Sequence, residues 1–419
     1  MAHIAFLSVP AYGHLNPVLP IAKQLVARGH EVTIYNEASF EPLIRPTGAR
    51  FVAYPPVIHL EDFSASLADG DLIAWLHMIG RATAPLVTST ERHLRATPPD
   101  VLVFDGVALW GEMLATKLRL PSVSISTTFT SDSLGDLANP RQIWQYVTSS
   151  LRYLFGFGVA FVRMLLTGVR SMPWRAPLVP RQGNTTIMLT SRAVHPKTRS
   201  IRNPRFVFVG SSIEPSTRLE QFDFGRLDGR PLLYVSLGTL HHGNTAFFRR
   251  CIEAFHDYPG QVLLSVGRGT DLSLFADAPE NFIVAEAFPQ LKILERTHIF
   301  LTHAGLNSMH ESLWSGVPMV AVPQQFEQLR NAHAMQVAGA GLVLDAEARG
   351  GIVPAAALRE AVERVDGQHA AFAAAAINLG QTLRDGGGYV EAANIIERAT
   401  LTRSASVHAS DAIRAPSGI

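Results

Sequence analysis

The chain has 419 residues, of which 47% are hydrophobic, so it is long enough for two domains that each bury their own core. Lysine and arginine number 36 against 35 aspartates and glutamates, for a formal net charge of +1. This balance leaves no overall basic field for a nucleic acid backbone. The single cysteine, Cys251, excludes an intramolecular disulfide and a multi-cysteine metal site, and it suits the reducing cytoplasm.

The amino-terminal segment predicts a strand that leads into a helix. Residues 4–9 form an apolar run without the cationic region of a signal peptide before it. Asn16 is a candidate N-cap and Pro17 a candidate first residue of the helix, which Gly29 ends. Two further apolar runs, at 32–35 and 101–104, predict strands. Alternation of short strands with helices is typical of a parallel sheet covered by helices.

Residues 151–170 are the one stretch that resembles a membrane span. Three arginines and several glycines interrupt it, whereas a crossing needs roughly 20 nearly uncharged residues. We therefore expect a buried or surface helix and no transmembrane segment. Peripheral contact with a membrane through this segment remains an open alternative.

A second alternating set follows a stretch rich in proline and glycine, residues 210–231, which predicts an interdomain linker. Its expected strands are 232–236, 262–266, 299–302 and 319–322, and its expected helices are 247–255, 308–315, 331–338 and 389–399. The predicted fold class is α/β, with two Rossmann-like domains facing a central cleft. We expect an amino-terminal acceptor domain at 1–212, a nucleotide-sugar domain at 213–385, a helix at 386–400 that packs back on the first domain, and a flexible tail at 401–419.

Residues 302–311, Thr-His-Ala-Gly-Leu-Asn-Ser-Met-His-Glu, predict a strand end, a glycine turn and a helix start. Backbone N–H groups at such a helix start can bind a diphosphate. Two other interpretations stay open at this point. Ser308 and Glu311 also have the spacing of a capping box, and His303 alone could be a structural histidine.

The wider pattern runs through Ala287-Phe288-Pro289-Gln290, His303-x-Gly305-x-Asn307-Ser308-x-x-Glu311, Gly316-Val317-Pro318 and Pro323-x-x-x-Glu327-Gln328. It resembles the donor-binding signature of family-one glycosyltransferases, which include macrolide, flavonoid and steroid glycosyltransferases and have the GT-B fold. The resemblance implies that His303 and the amides near Asn307 and Ser308 hold the diphosphate. Glu311 would bind the ribose, and Glu327 with Gln328 the sugar.

The resemblance extends the donor site to further positions. The expected donor-binding set also contains Ser236, Gly238, Thr239, Arg268, Phe288, Pro289, Gln290 and Gly305. Plant members begin the signature with a tryptophan that stacks on uracil, but here Ala287 corresponds to it. Either Phe288 supplies a ring face or the backbone holds the base, so the choice between uridine and thymidine donors stays open.

The first domain carries the candidate catalytic pair. His14 follows the first strand in a Gly-His-Leu-Asn-Pro run that resembles the family's catalytic-histidine loop, and Asp105 ends another strand. A histidine that titrates near neutrality suits the removal of a hydroxyl proton, and a carboxylate can orient its ring. The alternative for Asp105 is a loop cap.

We expect no metal, because Asp69-Gly70-Asp71 formally matches a metal-binding Asp-x-Asp motif but lies in a polar loop. The acceptor should be small and hydrophobic, since the region 58–161 is rich in aromatic residues. They are Trp75, Trp110, Phe129, Trp144, Tyr146 and Phe155.

The sequence thus predicts a cytoplasmic, UDP-dependent, inverting hexosyltransferase that uses UDP-glucose as co-substrate and needs no cofactor. Its acceptor would be a small lipophilic compound such as a flavonoid or a macrolide, and the protein would be a monomer or a homodimer. Two alternatives are an epimerase or hydrolase of nucleotide sugars with the same fold, and a non-catalytic nucleotide-sugar binding protein. A nicotinamide dehydrogenase ranks last because no G-x-G-x-x-G turn follows the first strand.

Overall fold

The fold is known from a computed structural model that describes residues 1–59, 72–130, 140–168, 183–218, 221–238 and 244–414. Within these ranges the chain forms two parallel sheets, of seven and six strands, with helices packed along them. The predicted α/β fold with two Rossmann-like sheets is confirmed. The predicted domain limits at residues 212 and 385 stay predictions.

The first sheet has the strand order β3-β2-β1-β4-β5-β6-β7. The apolar strand β1 (His3–Leu7) is buried on both sides, because Ile4 and Phe6 belong to one hydrophobic cluster while Ala5 and Leu7 belong to another. The elements of this part are β1 (His3–Leu7), α1 (Tyr12–Leu15), α2 (Val18–Ala27), β2 (Glu31–Asn36), α3 (Glu41–Ile44), β3 (Arg50–Ala53), α4 (Leu72–Ala96), β4 (Val101–Asp105), α5 (Leu109–Leu118), β5 (Ser122–Ser126), α6 (Pro140–Leu166), β6 (Thr185–Met188) and β7 (Phe206–Phe208).

The second sheet repeats this winding, with the order β10-β9-β8-β11-β12-β13. In both sheets the first strand of the unit is the third in the order, and the chain reverses its direction of winding beside it. The elements are β8 (Leu232–Ser236), α7 (Thr245–Phe255), β9 (Gln261–Ser265), β10 (Phe282–Ala285), α8 (Gln290–Leu294), β11 (Ile299–Thr302), α9 (Leu306–Trp314), β12 (Met319–Ala321), α10 (Phe326–Val337), β13 (Gly341–Val343), α11 (Ala355–Gly367), α12 (His369–Asp385) and α13 (Gly388–Arg414).

The helix α13 returns to the first sheet. It packs on α2, and Ala392 and Ile396 are buried in the cluster that contains Leu25. The helix continues beyond residue 399 to Arg414, where we expected a tail from residue 401. The reason is that residues 389–415 contain neither proline nor glycine, so nothing in the sequence stops the helix.

One local prediction is wrong. Asn16 is not the N-cap of the first long helix, because residues 12–15 already form a helical turn and Asn16 continues it with φ −51° and ψ −43°. An N-cap residue needs a non-helical backbone. Pro17 stands at the start of α2 instead.

No helix in the described part of the chain is long and apolar enough to span a membrane.

Candidate active site

Three adjacent strands of the first sheet bring the candidate base and its partners together. His14 lies in α1, directly after β1, Asp105 is the last residue of β4, and Thr127 follows β5. β1 pairs with β4 and β4 with β5, all in parallel. Because parallel neighbours end at the same edge of a sheet, the three side chains meet there.

The histidine ring is held by its Nδ1 atom. This atom lies 2.8 Å from Oδ2 of Asp105 and 2.9 Å from Oγ1 of Thr127. The other carboxylate oxygen of Asp105 accepts a hydrogen bond of 2.9 Å from the backbone N–H of Val107. A ring that donates its Nδ1 proton to a fixed carboxylate keeps Nε2, on the opposite side, as its basic nitrogen.

The charges around His14 favour the imidazolium form. Burial lowers its pKa, but the charge and hydrogen bond of Asp105, together with the charge of Glu327, raise it above the ordinary value of 6.5. Glu327 lies in α10, which follows β12 of the second sheet. A carboxylate from the second half of the chain therefore acts on the imidazole of the first.

His303 lies between two glycines at the carboxyl ends of β8 and β11. A Cβ atom on Gly238 would come within 2.5 Å of the ring, and one on Gly305 within 2.4 Å. Ala304, between His303 and Gly305, has a left-handed backbone with φ 60°. Glycine is thus required at both positions to leave space for the imidazole.

The nine-residue helix α9 begins with Gly305 as N-cap, and no side chain caps it. Ser308 is the third residue inside the helix, so the capping-box interpretation of Ser308 and Glu311 is wrong. The first backbone N–H groups of α9 belong to Leu306, Asn307 and Ser308. Such groups can hold an anion without competition from a capping side chain.

Glu311 is buried on α9, and both of its carboxylate oxygens have partners. Oε1 lies 2.7 Å from Nη2 of Arg218, in the segment that joins the two sheets, and Oε2 accepts a bond of 2.6 Å from Nε2 of Gln290. Gln290 also reaches Ser308, with 3.3 Å between Nε2 and Oγ. Three residues of the signature thus form one hydrogen-bonded group.

Asn331 positions a second group. Its Nδ2 donates to Oε1 of Glu327 at 2.8 Å and to the carbonyl oxygen of Ala304 at 3.1 Å. Burial raises the pKa of Glu327, while the Asn331 hydrogen bond and the charges of Arg330 and His14 lower it, with a net rise. One amide therefore links the strained turn beside His303 to Glu327.

Hydrogen bonds connect the halves of the chain at this site. Nδ2 of Asn307 donates to the carbonyl oxygen of Gly13, at 2.7 Å. The guanidinium of Arg330 donates to the carbonyl oxygen of Thr130. The residue before the candidate base therefore contacts the helix start that can hold an anion.

The other expected donor residues lie along the same sheet edge. Phe288 is buried and packs edge-on against Phe222, with 5.2 Å between ring centroids, so little of its face is left for a nucleobase. Gln328 is buried, and its Oε1 accepts from the backbone N–H of Gln324. Pro289 precedes α8, Ser236 accepts from the N–H of Gly238 at 3.2 Å, and Arg268 is exposed in the loop after β9. Thr239 lies outside the described residues.

The expected acceptor aromatics do not form one wall. Trp75, Trp110 and Phe129 are buried, whereas Phe155 is exposed on α6. The side chains of Trp144 and Tyr146 lie outside the described part, as does the Asp69-Gly70-Asp71 motif. Within the described ranges, no three His, Cys, Asp or Glu side chains come together as a metal site.

Sequence reasoning missed several residues of this site, among them Thr127, Asn331 and Arg218. Thr127 could have been found, because it follows a strand next to the one that ends in Asp105. Asn331 also carries a signal, since it lies one helical turn after Glu327 on the same face. The sequence contains no signal for Arg218, because the position of a linker side chain depends on how the two sheets are placed.

Comparison with known proteins shows similarity to glycosyltransferases. Residues 224–369, around the second sheet, match the family model described as "UDP-glucoronosyl and UDP-glucosyl transferase". The chain is similar to the NDP-glycosyltransferase YjiC of Bacillus licheniformis, with 31% identity over 87% of this chain and 89% of that protein. It is also similar to the oleandomycin glycosyltransferase of Streptomyces antibioticus, with 28% identity over 83% of this chain and 80% of that protein.

A solved structure resembles the whole architecture. The glycosyltransferase of kitacinnamycin superposes with a TM-score of 0.78 at 29% identity, and the match covers 95% of this chain and 98% of the other. Both sheets and their connection therefore have counterparts in that protein.

Proposed function

Because this chain belongs to the family-one glycosyltransferases, we propose that it is an inverting enzyme that moves glucose from UDP-glucose to a hydroxyl of a small lipophilic natural product. That it is a glycosyltransferase with a nucleoside-diphosphate sugar donor follows from the family. The single observation that carries the mechanistic part is the His14–Asp105 pair, with 2.8 Å between Nδ1 and Oδ2, beside the Gly13–Asn307 contact with the second half of the chain.

In the proposed reaction the acceptor hydroxyl gives its proton to Nε2 of His14 while its oxygen attacks the anomeric carbon. The bond from that carbon to the diphosphate oxygen breaks, and its electron pair leaves with UDP. Attack opposite the leaving group inverts the anomeric configuration. Asp105 accepts the Nδ1 proton in a hydrogen bond and stabilises the imidazolium that forms.

The leaving diphosphate gains negative charge in this step. We propose that the N–H groups at the start of α9 and the imidazole of His303 bind it, since preformed donors at a site of developing charge lower the barrier. Glu311 would take the ribose hydroxyls, displacing Arg218 or Gln290, and Glu327 the sugar hydroxyls. The packing of Phe288 favours recognition of the base by backbone groups.

The choice of glucose rests on the Glu327-Gln328 pair, which resembles that of glucose-using family members. The acceptor class rests on the similarity to the oleandomycin glycosyltransferase and on the aromatic content of the first half. We further propose that the protein acts in the cytoplasm, needs no metal or cofactor, and is a monomer or a homodimer.

The test is incubation of the protein with UDP-glucose, and in parallel with TDP-glucose, and a panel of phenols, flavonoids, macrolides and steroids. Mass spectrometry should find a hexose added to an acceptor, and NMR of the product should give the inverted anomer. UDP release should need the acceptor. Free sugar or an isomerised donor without acceptor would identify a hydrolase or an epimerase, and donor binding without any turnover would identify a binding protein.

A further inference from the structure

One face of α6 exposes a row of large apolar side chains. Leu151 is 70% exposed, Phe155 85% and Leu166 81%. At 3.6 residues per turn these residues lie along one stripe of the helix, on the side opposite Ala160 and Met164, which are buried. The stripe extends for about 22 Å. Its other members are Leu154, Val162 and Leu165.

Positive charge lies along one edge of this stripe. Arg152 and Arg163 are both exposed, and their spacing of three turns puts them on the same line of the helix. Arg81, on the neighbouring α4, is exposed as well. It lies one helical turn after His77, whose ring stacks on Tyr153 of α6 with 4.7 Å between ring centroids. Burial and, after it, the charge of Arg81 lower the pKa of His77.

The sequence around α6 lacks negative charge altogether. Residues 137–213 contain ten arginines and one lysine but no aspartate or glutamate, in a chain whose formal net charge is only +1. The part of the chain that carries the exposed apolar stripe therefore has a local excess of positive charge. A helix with an apolar face bordered by arginines is typical of segments that lie in a membrane interface.

We propose that this face of α6 docks the protein onto an anionic membrane surface, with the apolar side chains entering the headgroup region and the arginines contacting lipid phosphates. A second copy of the chain fits the face less well. A twofold contact must be self-complementary, and it would bring arginines together without an acidic partner on α6, whereas anionic lipids supply the missing charge.

Docking would bring the half of the protein that carries His14 close to the lipid bilayer, in which lipophilic compounds accumulate. That consequence rests on the proposed function, whereas the docking itself does not. α4, on which α6 packs, joins the first sheet directly before β4, the strand that ends in Asp105. The membrane face and the candidate base therefore belong to the same packed unit.

The experiment is co-sedimentation of the full chain with vesicles of phosphatidylcholine alone and of an equal mixture of phosphatidylcholine and phosphatidylglycerol. We expect binding to the mixed vesicles that weakens with added salt. Phe155→Glu should reduce the partition coefficient at least tenfold, because it puts a charge in the apolar row. Arg152→Gln and Arg163→Gln should each reduce it about fivefold, and only on the anionic vesicles.

Val337→Glu is the matched control, since Val337 is 90% exposed on α10, far along the chain from α6. It should bind vesicles like the wild type. UDP affinity and thermal unfolding of all variants show whether the fold is retained, independently of vesicles and acceptor. The proposal is overturned if the wild type does not sediment with anionic vesicles. The proposal is also overturned if a folded Phe155→Glu variant binds the anionic vesicles as tightly as the wild type. A wild type that forms a dimer, loses it with Phe155→Glu and binds no vesicles overturns it as well.

Discussion

The side-chain amide of Asn307 donates a hydrogen bond to the backbone carbonyl of Gly13, with 2.7 Å between Nδ2 and O. Asn307 is the second residue of α9, and Gly13 directly precedes His14. The contact therefore ties the helix start proposed to hold the diphosphate to the loop that carries the proposed base.

Replacing Asn307 with alanine removes this link but keeps the backbone N–H of residue 307. We expect kcat to fall about fivefold, the worth of one ordinary hydrogen bond, while UDP affinity stays unchanged. Steady-state kinetics and calorimetric titration with UDP measure the two quantities. A weakened UDP complex with normal kcat would mean that the side chain serves the diphosphate rather than the alignment of the two halves.

The electrostatics of the His14–Asp105 pair predict how kcat/KM depends on pH. His14 must be neutral to accept a proton, and its pKa lies above 6.5 because Asp105 and Glu327 outweigh the effect of burial. The acidic limb of kcat/KM should therefore have an apparent pKa above that value. Asp105→Asn removes a negative charge, which destabilises the imidazolium, so the limb should move to lower pH while the plateau falls at least tenfold.

If the acidic limb of the pH profile does not move in Asp105→Asn, the group that titrates is not His14. Glu327→Gln serves as the comparison variant. It should move the limb in the same direction by less, because Glu327 contributes least among the causes of the shift.

The proposed role of Glu311 predicts a loss of discrimination at the ribose. The wild type should bind UDP more tightly than 2′-deoxy-UDP, and Glu311→Ala should weaken UDP binding tenfold or more, about the worth of hydrogen bonds to a carboxylate, and make the two nucleotides nearly equal. Titration of both nucleotides checks this. Glu327→Ala is the control that should keep the preference for UDP. An equal weakening of both nucleotides by Glu311→Ala would indicate that loss of the Arg218 and Gln290 contacts has only disordered the site.

Asn331 should affect the binding of the donor's sugar rather than the binding of its nucleotide. Asn331→Leu removes both donors at similar volume, so Glu327 and the carbonyl of Ala304 lose their common partner. We expect KM for UDP-glucose to rise about tenfold, with unchanged affinity for UDP alone. If UDP and UDP-glucose are weakened alike, Asn331 supports the fold of the turn and not the position of Glu327.

Patterns local in sequence predicted much of the fold and of the site. β8 and β11 have the expected bounds, 232–236 and 299–302, because unbroken apolar runs form buried parallel strands. His14 was expected after the first strand and Asp105 at the end of another strand of the same domain, and the structure brings them within hydrogen-bond distance. Their catalytic roles stay predictions.

Features that depend on tertiary placement could not be read from the sequence. Ser308 and Glu311 matched the spacing of a capping box, but the helix starts three residues earlier, after Gly305, so packing decided the register. Phe288 could have offered its ring to a base, yet Phe222, from a distant part of the chain, packs against it. The Arg218–Glu311 pair joins residues 93 positions apart, and no local pattern encodes such a contact.

The central claim is that an imidazole from the first half of the chain activates an acceptor for a sugar held by the second half. The most direct test is His14→Ala, measured as the UDP dissociation constant and the initial rate of transfer to an accepted substrate from the panel. The account predicts unchanged UDP affinity with transfer reduced by about a hundredfold to ten-thousandfold, the contribution of a general base. Transfer at the wild-type rate, with the donor bound as before, would contradict it.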